Sequence, residues 1–547
     1  MTDESKIVEL EETPDLNGAF PRMSDAQLAL LAAHGTRRTT ERGDVLFREG
    51  DQCPDFFVIL RGKVAVIEQS DDNGEPVVLR VHGERRFLGE LGVLTGQRSF
   101  LTTVVYEPGE VLAVPVARLR ELLGRDPGLA DLILRAYVMR RAMLIDAGTG
   151  FRIVGSRFSP DTQRLLEFAA RNRLPHRWID LEDEPSAESL LRRLGVTPEE
   201  TPVVVMGEAA VLRNPGNAEL ARAIGLPAPA VSPDTDIDLA VVGAGPAGLA
   251  AAVYGASEGL TTVVLDAVAT GGQAGTSPRI ENYLGFPAGV SGSELAERAA
   301  IQAARFGARI GVPAEVTGLR RREGLFEVAV EGGEPLLART VVIATGARYR
   351  RLDVSGLERF EGTSVFYAAT MVEARMCGSD PVVVVGGGNS AGQASLFLAR
   401  SAARVTLIVR GPDLTANMSR YLVEQIERSP LIDVRRSTEV REVVGDRALA
   451  SVTVENTGTG EKNEIPARAM FVFIGASPHT GWLAGSVELD RAGFVRTGPR
   501  TPLGTSWDGV FAAGDVRSGS TKRVASAVGE GAMAVQLVHR HLGGRVR

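Results

Sequence analysis

Two segments of this chain, DLAVVGAGPAGLAAAVYGA (238–256) and PVVVVGGGNSAGQASLFLA (381–399), each run from an apolar stretch through clustered glycines into a helical pattern. That order admits few folds. In the first, Gly243, Gly245 and Gly248 form G-x-G-x-x-G directly after LAVV. The first glycine permits a tight turn, the second lets a pyrophosphate reach the backbone, and the third lets helix and strand pack closely. The helix N-terminus then offers partial positive charge to an anion. The next strand pattern, TTVVLD, ends at Asp266, an acid placed to accept a ribose 2′-OH. Strand, turn, helix, strand and acid together predict a dinucleotide site. The bland reading is a tight packing turn that binds nothing.

The second segment has Gly386, Gly388 and Ala391 at the same positions. Its following strand pattern, RVTLIVRG, has Val409 where the acid would stand, and Arg410 follows. An acid would repel a 2′-phosphate and an arginine would attract it, so NADPH is expected over NADH, with NADH still able to bind. An ordinary surface arginine is the alternative.

A chain of 547 residues predicts three to five domains at roughly 100–200 residues each. With 44% hydrophobic and 24% charged residues, most of it must be folded. The net charge of −7 offers no nucleic-acid footprint. Two cysteines, Cys53 and Cys377, exclude a disulfide framework or a Cys-based zinc site, and no metal is expected. The acidic N-terminus lacks a leader pattern, and glycines interrupt the one long apolar stretch, 238–256. A cytoplasmic protein without a membrane span is therefore expected.

Three blocks precede or contain these motifs. Residues 20–145 open with a helical pattern, DAQLALLAAH. Period-two runs such as DFFVILRGKVAVIEQ and TTVVYEPGEVLAVP follow, and a helical tail at about 117–145 closes the block. Residues 150–228 alternate strand and helix patterns. Residues 226–237, LPAPAVSPDTDI, read as a semi-rigid linker. The rest, from about 237, holds both glycine turns.

The third block also carries, in order, GGQAGTSPRIENYLGFP (271–287), VVIATGA (341–347), GVFAAGDV (509–516) and KRVASAVGEGAMAV (522–535). With these it resembles the thioredoxin reductase family of FAD-dependent pyridine-nucleotide oxidoreductases. The resemblance implies an FAD domain made of 237–350 and 475–547 around an NAD(P) domain at 351–474, and a homodimer. It implies that Gly271, Gly272, Gln273, Asn282, Val316, Thr345 and Gly346 lie along the FAD with the first glycine turn. Gly514 and Asp515 would hold the ribityl chain, and Arg523, Val524 and Ala525 would cover the pyrimidine edge. Asn389 and Ser390 would join Gly386, Gly388, Ala391 and Arg410 around NADP. No long tail is expected beyond the last helix pattern to cap the flavin.

Two departures from the family bear on mechanism. Its C-x-x-C positions fall here on Ala368 and Met371, in FYAATMVEARMCGSDP. Cys377 lies nearby, and a single thiol cannot cycle as an internal dithiol; a buried apolar filler is its expected role. Of the family's basic triplet for the 2′-phosphate, Arg410 stands, while Gly411 and Thr415 replace the others.

The β-α-β order of 150–228, with Thr201-Pro202 opening a strand, resembles thioredoxin and glutaredoxin folds, where a cis-proline stands at that point. Ser159-Pro160-Asp161-Thr162 occupies the dithiol position, so docking or regulation, or a plain spacer, is expected. The order of GDVLFREGD, FFVILRGKVAVI and FLGELGVLTGQRS resembles the cyclic nucleotide-binding domain. There Gly89, Glu90 and Leu91 would form the turn whose Glu takes the ribose 2′-OH, and Arg98 with Ser99 would take the cyclic phosphate. The segment from Glu90 to Arg98 is one residue shorter than the family's, and Phe100 and Leu101 replace small residues.

The expected fold is thus α/β: two dinucleotide-binding, Rossmann-like domains, preceded by a thioredoxin-like α/β domain and an N-terminal β-roll with flanking helices. The expected activity is hydride transfer from NADPH to FAD and onward to an acceptor not reduced through an internal dithiol: a quinone, an iron–sulfur protein or dioxygen. The alternatives are a nucleotide- or flavin-loaded sensor gated by the β-roll, and a thioredoxin-disulfide reductase.

Overall fold

The computed structural model describes residues 11–53, 55–68, 77–90, 94, 96–184, 186–206, 210–226, 236–446, 448–498 and 501–544. Two compact units emerge: Met1–Val154 with Arg173–Pro227, and Gly155–Asn172 with Ala228–Arg547. Most of the 226–237 linker expected from sequence lies outside the described residues, as does Leu91.

In the first unit an antiparallel sheet runs Thr36–Thr40, Thr102–Pro115, Asp55–Glu68, Val77–His82. The long strand Asp55–Glu68 is apolar on both faces, for two reasons. Phe57, Ile59, Val64 and Val66 point into the roll with Phe47, Leu88 and Val105. Phe56 and Val58 pack outward on Leu119, Leu129 and Ile133 of the covering helices.

The helical tail is not one element. It breaks into Val116–Arg125 and Pro127–Asp146. Pro127 pushes Asp126 out of helical geometry (φ −114°, ψ 99°), and the Asp126 carboxylate then accepts the Leu129 N–H at 2.9 Å as an N-cap.

A second sheet runs Ala210–Arg213, Val203–Met206, Phe151–Gly155, His176–Asp180. Val203–Met206 is antiparallel to both neighbours, and the Thr201–Pro202 peptide before it is cis. Sequence reading missed the strand Ala210–Arg213, a short apolar pair, Val211 and Leu212, held in a hairpin ahead of Asn214-Pro215-Gly216.

The second unit contains a 7-stranded sheet. Strands Arg309–Gly311, Thr262–Leu265, Ile237–Val242, Leu336–Ile343 and Val510–Ala512 are parallel. Thr262–Leu265 is buried at every residue and Ile237–Val242 at all but one, as in a parallel sheet covered on both faces. Leu325–Val330 and Val316–Arg322 extend the sheet as an antiparallel hairpin. Val510–Ala512 reaches it from far along the chain, and the last helix, Val524–Gly544, packs Ala534, Val535 and Val538 against Leu249, Ala251 and Ala252 of Pro246–Ser257. Between these returns lies a 5-stranded parallel sheet, Val365–Phe366, Ala469–Val472, Val382–Val385, Val405–Ile408, Ile432–Arg435. A hairpin sheet of Thr438–Gly445, Leu449–Asn456 and Lys462–Pro466 flanks it.

The turn after Ile237–Val242 leaves no room for side chains. Gly243 sits at φ +103°, and a Cβ there would lie 2.4 Å from Ala344 O. A Cβ on Gly248 would lie 1.8 Å from Gly243 O. Gly248→Ala must therefore lift the helix Pro246–Ser257 off its strand. The expected cost is ~1–3 kcal/mol or more, as for overpacking a tight core. Urea unfolding of the variant measures it; an unchanged midpoint would mean the turn tolerates a methyl group.

Candidate functional site

The first glycine turn is braced by Asp266. Its Oδ2 accepts the Ala244 N–H at 2.7 Å, and Oδ1 accepts those of Val268 and Ala269, each at 3.0 Å. This carboxylate, expected to meet a ribose, first pins the strand-end loop to the turn and uses its remaining lone pairs for any ligand. Gly245 is the N-cap of Pro246–Ser257 and makes no side-chain cap bond. The first-turn amides are therefore unmatched within the helix, as an anion cradle requires. Pro246 at the first helical position removes one of those amides and pre-sets φ. A Cβ on Gly245 would meet nothing nearer than Gly272 Cα at 3.9 Å, so the cradle floor is open.

Gly271, Gly272 and Gln273 follow at once; the Gly271 N–H donates to Ala244 O at 2.7 Å. Thr345 and Gly346 leave the neighbouring strand end, where the Thr345 hydroxyl donates to His479 O at 2.8 Å. Gly514 and Asp515 arrive on the loop after Val510–Ala512. Burial raises the Asp515 carboxyl above its ordinary value, the Lys522 charge opposes this and Glu530 adds to it. Such a group is suited to receiving ligand hydroxyls. Sequence reading missed Glu530, whose Oε2 accepts the Gly514 N–H at 2.7 Å and whose Oε1 pairs with Arg517 at 2.5 Å, fixing that loop. Glu530 lies inside the segment 522–535, but no spacing there marks its role; only the packing of Val524–Gly544 reveals it. Arg523, Val524 and Ala525 stand at the start of that helix, with Arg523 and Ala525 exposed. Asn282 is exposed, and the Val316 side chain is buried in the sheet core, which leaves only its main chain for a ligand.

The second turn repeats the design. Gly386 has φ +146°, and a Cβ there would meet Phe473 O at 2.4 Å. Gly388 caps Asn389–Leu398 without a side-chain bond. Ala391 is fully buried and Ser390 exposed. Asn389 Oδ1 is committed to the Ser419 N–H at 2.7 Å. Val409 is buried, and Arg410 beyond it is exposed. Three residues on, Asp413 is held below the ordinary carboxylate range, chiefly by the Thr415 hydroxyl and then the Thr415 N–H.

The β-roll contains a cavity of about 140 Å³. Gly89, Glu90 and Ser99 line it, but Arg98 does not. Arg98 is exposed and donates from Nη1 to Gly50 O at 2.9 Å, while its N–H donates to Ile224 O at 3.0 Å. Glu90 is also committed: its Oε1 pairs with Arg140 Nη1 at 2.9 Å, with both side chains buried. The buried arginine on the cavity wall is Arg140, from the helix Pro127–Asp146.

Comparison with known proteins agrees with this layout. The family model described as pyridine nucleotide-disulphide oxidoreductase matches residues 237–531. The chain belongs to that family. The cyclic nucleotide-binding domain model matches residues 37–126. Thioredoxin reductase of Treponema pallidum is 38% identical over 301 residues, spanning 55% of this chain and 95% of the relative. The 34.2 kDa protein in the rubredoxin operon of Clostridium pasteurianum is 32% identical over 313 residues, 57% of this chain and 99% of the relative. Thioredoxin reductase of T. acidophilum has a solved structure at TM-score 0.53 and 34% identity, covering 56% of this chain and 98% of that one. The protein is an NAD(P)H-dependent flavin oxidoreductase, with FAD and NADPH as its cofactors.

In this oxidoreductase neither thiol is poised for exchange. Ala368 lies half-buried in the loop before Met371–Cys377, and Met371 begins that helix. Cys377 sits at the far end, packed in the core, its thiol pushed up to about 12 by burial and then by Glu373 and Asp380. Cys53 is also buried and pushed up to about 12, by burial and then by Asp51, Glu90 and Asp55. At pH 8 roughly one thiol in ten thousand is then ionised. Iodoacetamide should label neither cysteine in the folded protein and both in urea. Rapid labelling of Cys377 without denaturant would contradict its burial.

Among the described residues no group of three or more His, Cys, Asp or Glu side chains is placed to hold a metal ion, and no helix is long and apolar enough to cross a membrane. The Glu90–Arg140 pair yields a stability test. Glu90→Leu would leave Arg140 buried and uncompensated, at a cost of about 3–5 kcal/mol. Chemical denaturation of the variant should show the loss; a stability equal to wild type would mean that water reaches the arginine.

Proposed function

We propose that this protein passes electrons from NADPH through FAD to an acceptor outside the chain, without an internal dithiol. The observation that carries the proposal is the pair Ala368 and Met371 at the family's cysteine positions, with Cys377 buried in the core. Bound FAD supplies the two-electron chemistry. The chain's own residues bind and orient: the two uncapped helix starts at Gly245 and Gly388 face phosphates, and Asp515 meets the ribityl hydroxyls. Arg410, exposed after the buried Val409, draws a 2′-phosphate.

The proposed domains are 20–145, 150–228, 351–474, and 237–350 joined with 475–547. The return of Val510–Ala512 to the strand Leu336–Ile343 supports the joining. The middle segment is proposed as a docking module rather than a redox one. Its helix Pro160–Arg171 groups with the flavin-binding unit, and Asn172 at its end donates to Val268 O at 3.0 Å, beside the Asp266 turn. The acceptor is proposed to be a quinone, an iron–sulfur protein or dioxygen. The rubredoxin operon of the Clostridium relative makes rubredoxin the first to assay. The β-roll is proposed as a regulatory input. The match of residues 37–126 to the cyclic nucleotide-binding domain supports a cyclic nucleotide as its ligand.

Anaerobic titration of the yellow protein with NADPH, then NADH, tests this reading. NADPH should bleach the flavin, and Cys377→Ser should bleach identically. Arg410→Ala should reduce any preference for NADPH, because one partly exposed phosphate contact is worth ~1–3 kcal/mol, or roughly 5- to 150-fold. Turnover with thioredoxin disulfide, or loss of bleaching in a folded Cys377→Ser variant, would overturn the proposal.

A further inference from the structure

In the first unit, segment 98–100 is held from two sides at once. On the β-roll side, Arg98 Nη1 donates to Gly50 O at 2.9 Å, the Gly50 N–H donates to Ser99 O at 2.8 Å, and the Ser99 N–H donates to Asp51 O at 2.9 Å. The other side is the β-α-β module. There the Arg98 N–H donates to Ile224 O at 3.0 Å, just past the helix Asn217–Ala223. The approach is so close that a Cβ on Gly225, itself at φ +74°, would meet Arg98 Cγ at 3.1 Å. The ring of Phe100 lies against that of Phe151, with centroids 6.3 Å apart, and both side chains are buried. Phe151 opens Phe151–Gly155, an interior strand of the module's sheet, and stacks in turn on His176 at 5.9 Å. The bulky residue at position 100, a departure from the family this segment resembles, thus joins the roll to the module.

The module continues the link along the chain. Strand Phe151–Gly155 leads through 156–159 into helix Pro160–Arg171. In the second unit this helix packs against helix Met371–Cys377 of the nicotinamide segment. Just past its end, Asn172 Nδ2 donates to Val268 O at 3.0 Å, and the Val268 N–H is held in turn by Asp266 Oδ1 at 3.0 Å. One helix therefore touches both the nicotinamide segment and the brace of the first glycine turn. Coupling along such a path needs an element with two arrangements that both ends can bias. Arg98 is suited to that role. Its exposed guanidinium rests on the Gly50 carbonyl, and an anion offers it a stronger, two-pronged alternative. A shift of Arg98 strains its main-chain bond to Ile224. It also displaces the adjoining Phe100, and a close-packed interior passes that displacement to Phe151.

We propose that segment 98–100 is a relay, carrying the state of the β-roll through Phe151 and helix Pro160–Arg171 to the flavin and nicotinamide domains. The proposal rests on the reading of the β-roll as a regulatory input and names its route. Coupling between binding sites is reciprocal, so the route is testable from its far end with nothing bound in the roll. Hydrogen exchange of the full flavin-loaded chain is measured with and without saturating NADP+, which binds without reducing the flavin. NADP+ should change the exchange of the Arg98 and Ser99 amides by at least about fivefold, the lower end of ordinary coupling between sites. Strand Thr36–Thr40, in the same roll but off the route, should not respond. In Phe100→Ala, NADP+ should still bind while the response at Arg98 and Ser99 is lost. No change at those amides in wild type, an equal change across Thr36–Thr40, or a response that survives Phe100→Ala would each overturn the relay. The wild-type measurement needs no variant, so it decides even if Phe100→Ala fails to fold. Calorimetry with cyclic AMP separates the ligand from the route: an NADP+ response in a chain that gives no heat with millimolar cyclic AMP supports the relay and removes only the ligand.

Discussion

The second unit depends on how closely backbone meets backbone at the end of Ile237–Val242. The strand must stop, turn and deliver a helix start within reach of a pyrophosphate. That is possible only where Gly243 passes Ala344 O and Gly248 passes Gly243 O at distances a Cβ would forbid. Asp266 then holds the turn from the next strand through the Ala244 N–H, and its own loop through those of Val268 and Ala269. The parallel sheet is built to carry this junction. Its strands are buried on both faces, and the last strand and helix of the chain return to close it. Gly386 and Phe473 repeat the device in the inserted sheet.

Burial governs the chemistry around these turns in opposite directions. It raises the Asp515 carboxyl above its ordinary value. It raises the Cys377 and Cys53 thiols far enough to silence them. A reactive thiol needs a nearby positive charge or a helix start, and both cysteines have carboxylates as their nearest charged influences instead. The absence of a dithiol is therefore reinforced by environment as well as by composition.

In the first unit a buried ion pair organises the β-roll. Arg140 donates to Glu90, Ala19 O and Phe87 O, and its guanidinium lies over the rings of Phe20 and Phe87. Such a pair gains little over apolar packing, yet breaking it strands a charge. It ties the helix Pro127–Asp146 to the turn at Gly89 and Glu90, so whatever occupies the cavity touches the element that leads out of the roll.

Much of this was legible in the residues themselves. Glycine spacing after apolar runs is a local signal, and it located both nucleotide turns, the strands feeding them and Asp266. The missing C-x-x-C was equally plain. Local pattern also placed the β-roll strands, but it ran the helical tail through Asp126-Pro127 and passed over Ala210–Arg213, a strand too short to show a period. What only the tertiary structure decided concerns side chains whose partners lie far along the chain. Glu90 meets Arg140 and Gly514 meets Glu530, while Arg98 turns outward to Gly50 and Ile224. The order of residues determines which groups are available and which backbone conformations are allowed at each point. Which of them meet, and which are left facing a cavity, depends on how the elements pack, because hydrogen bonds and ion pairs act only over a few ångströms.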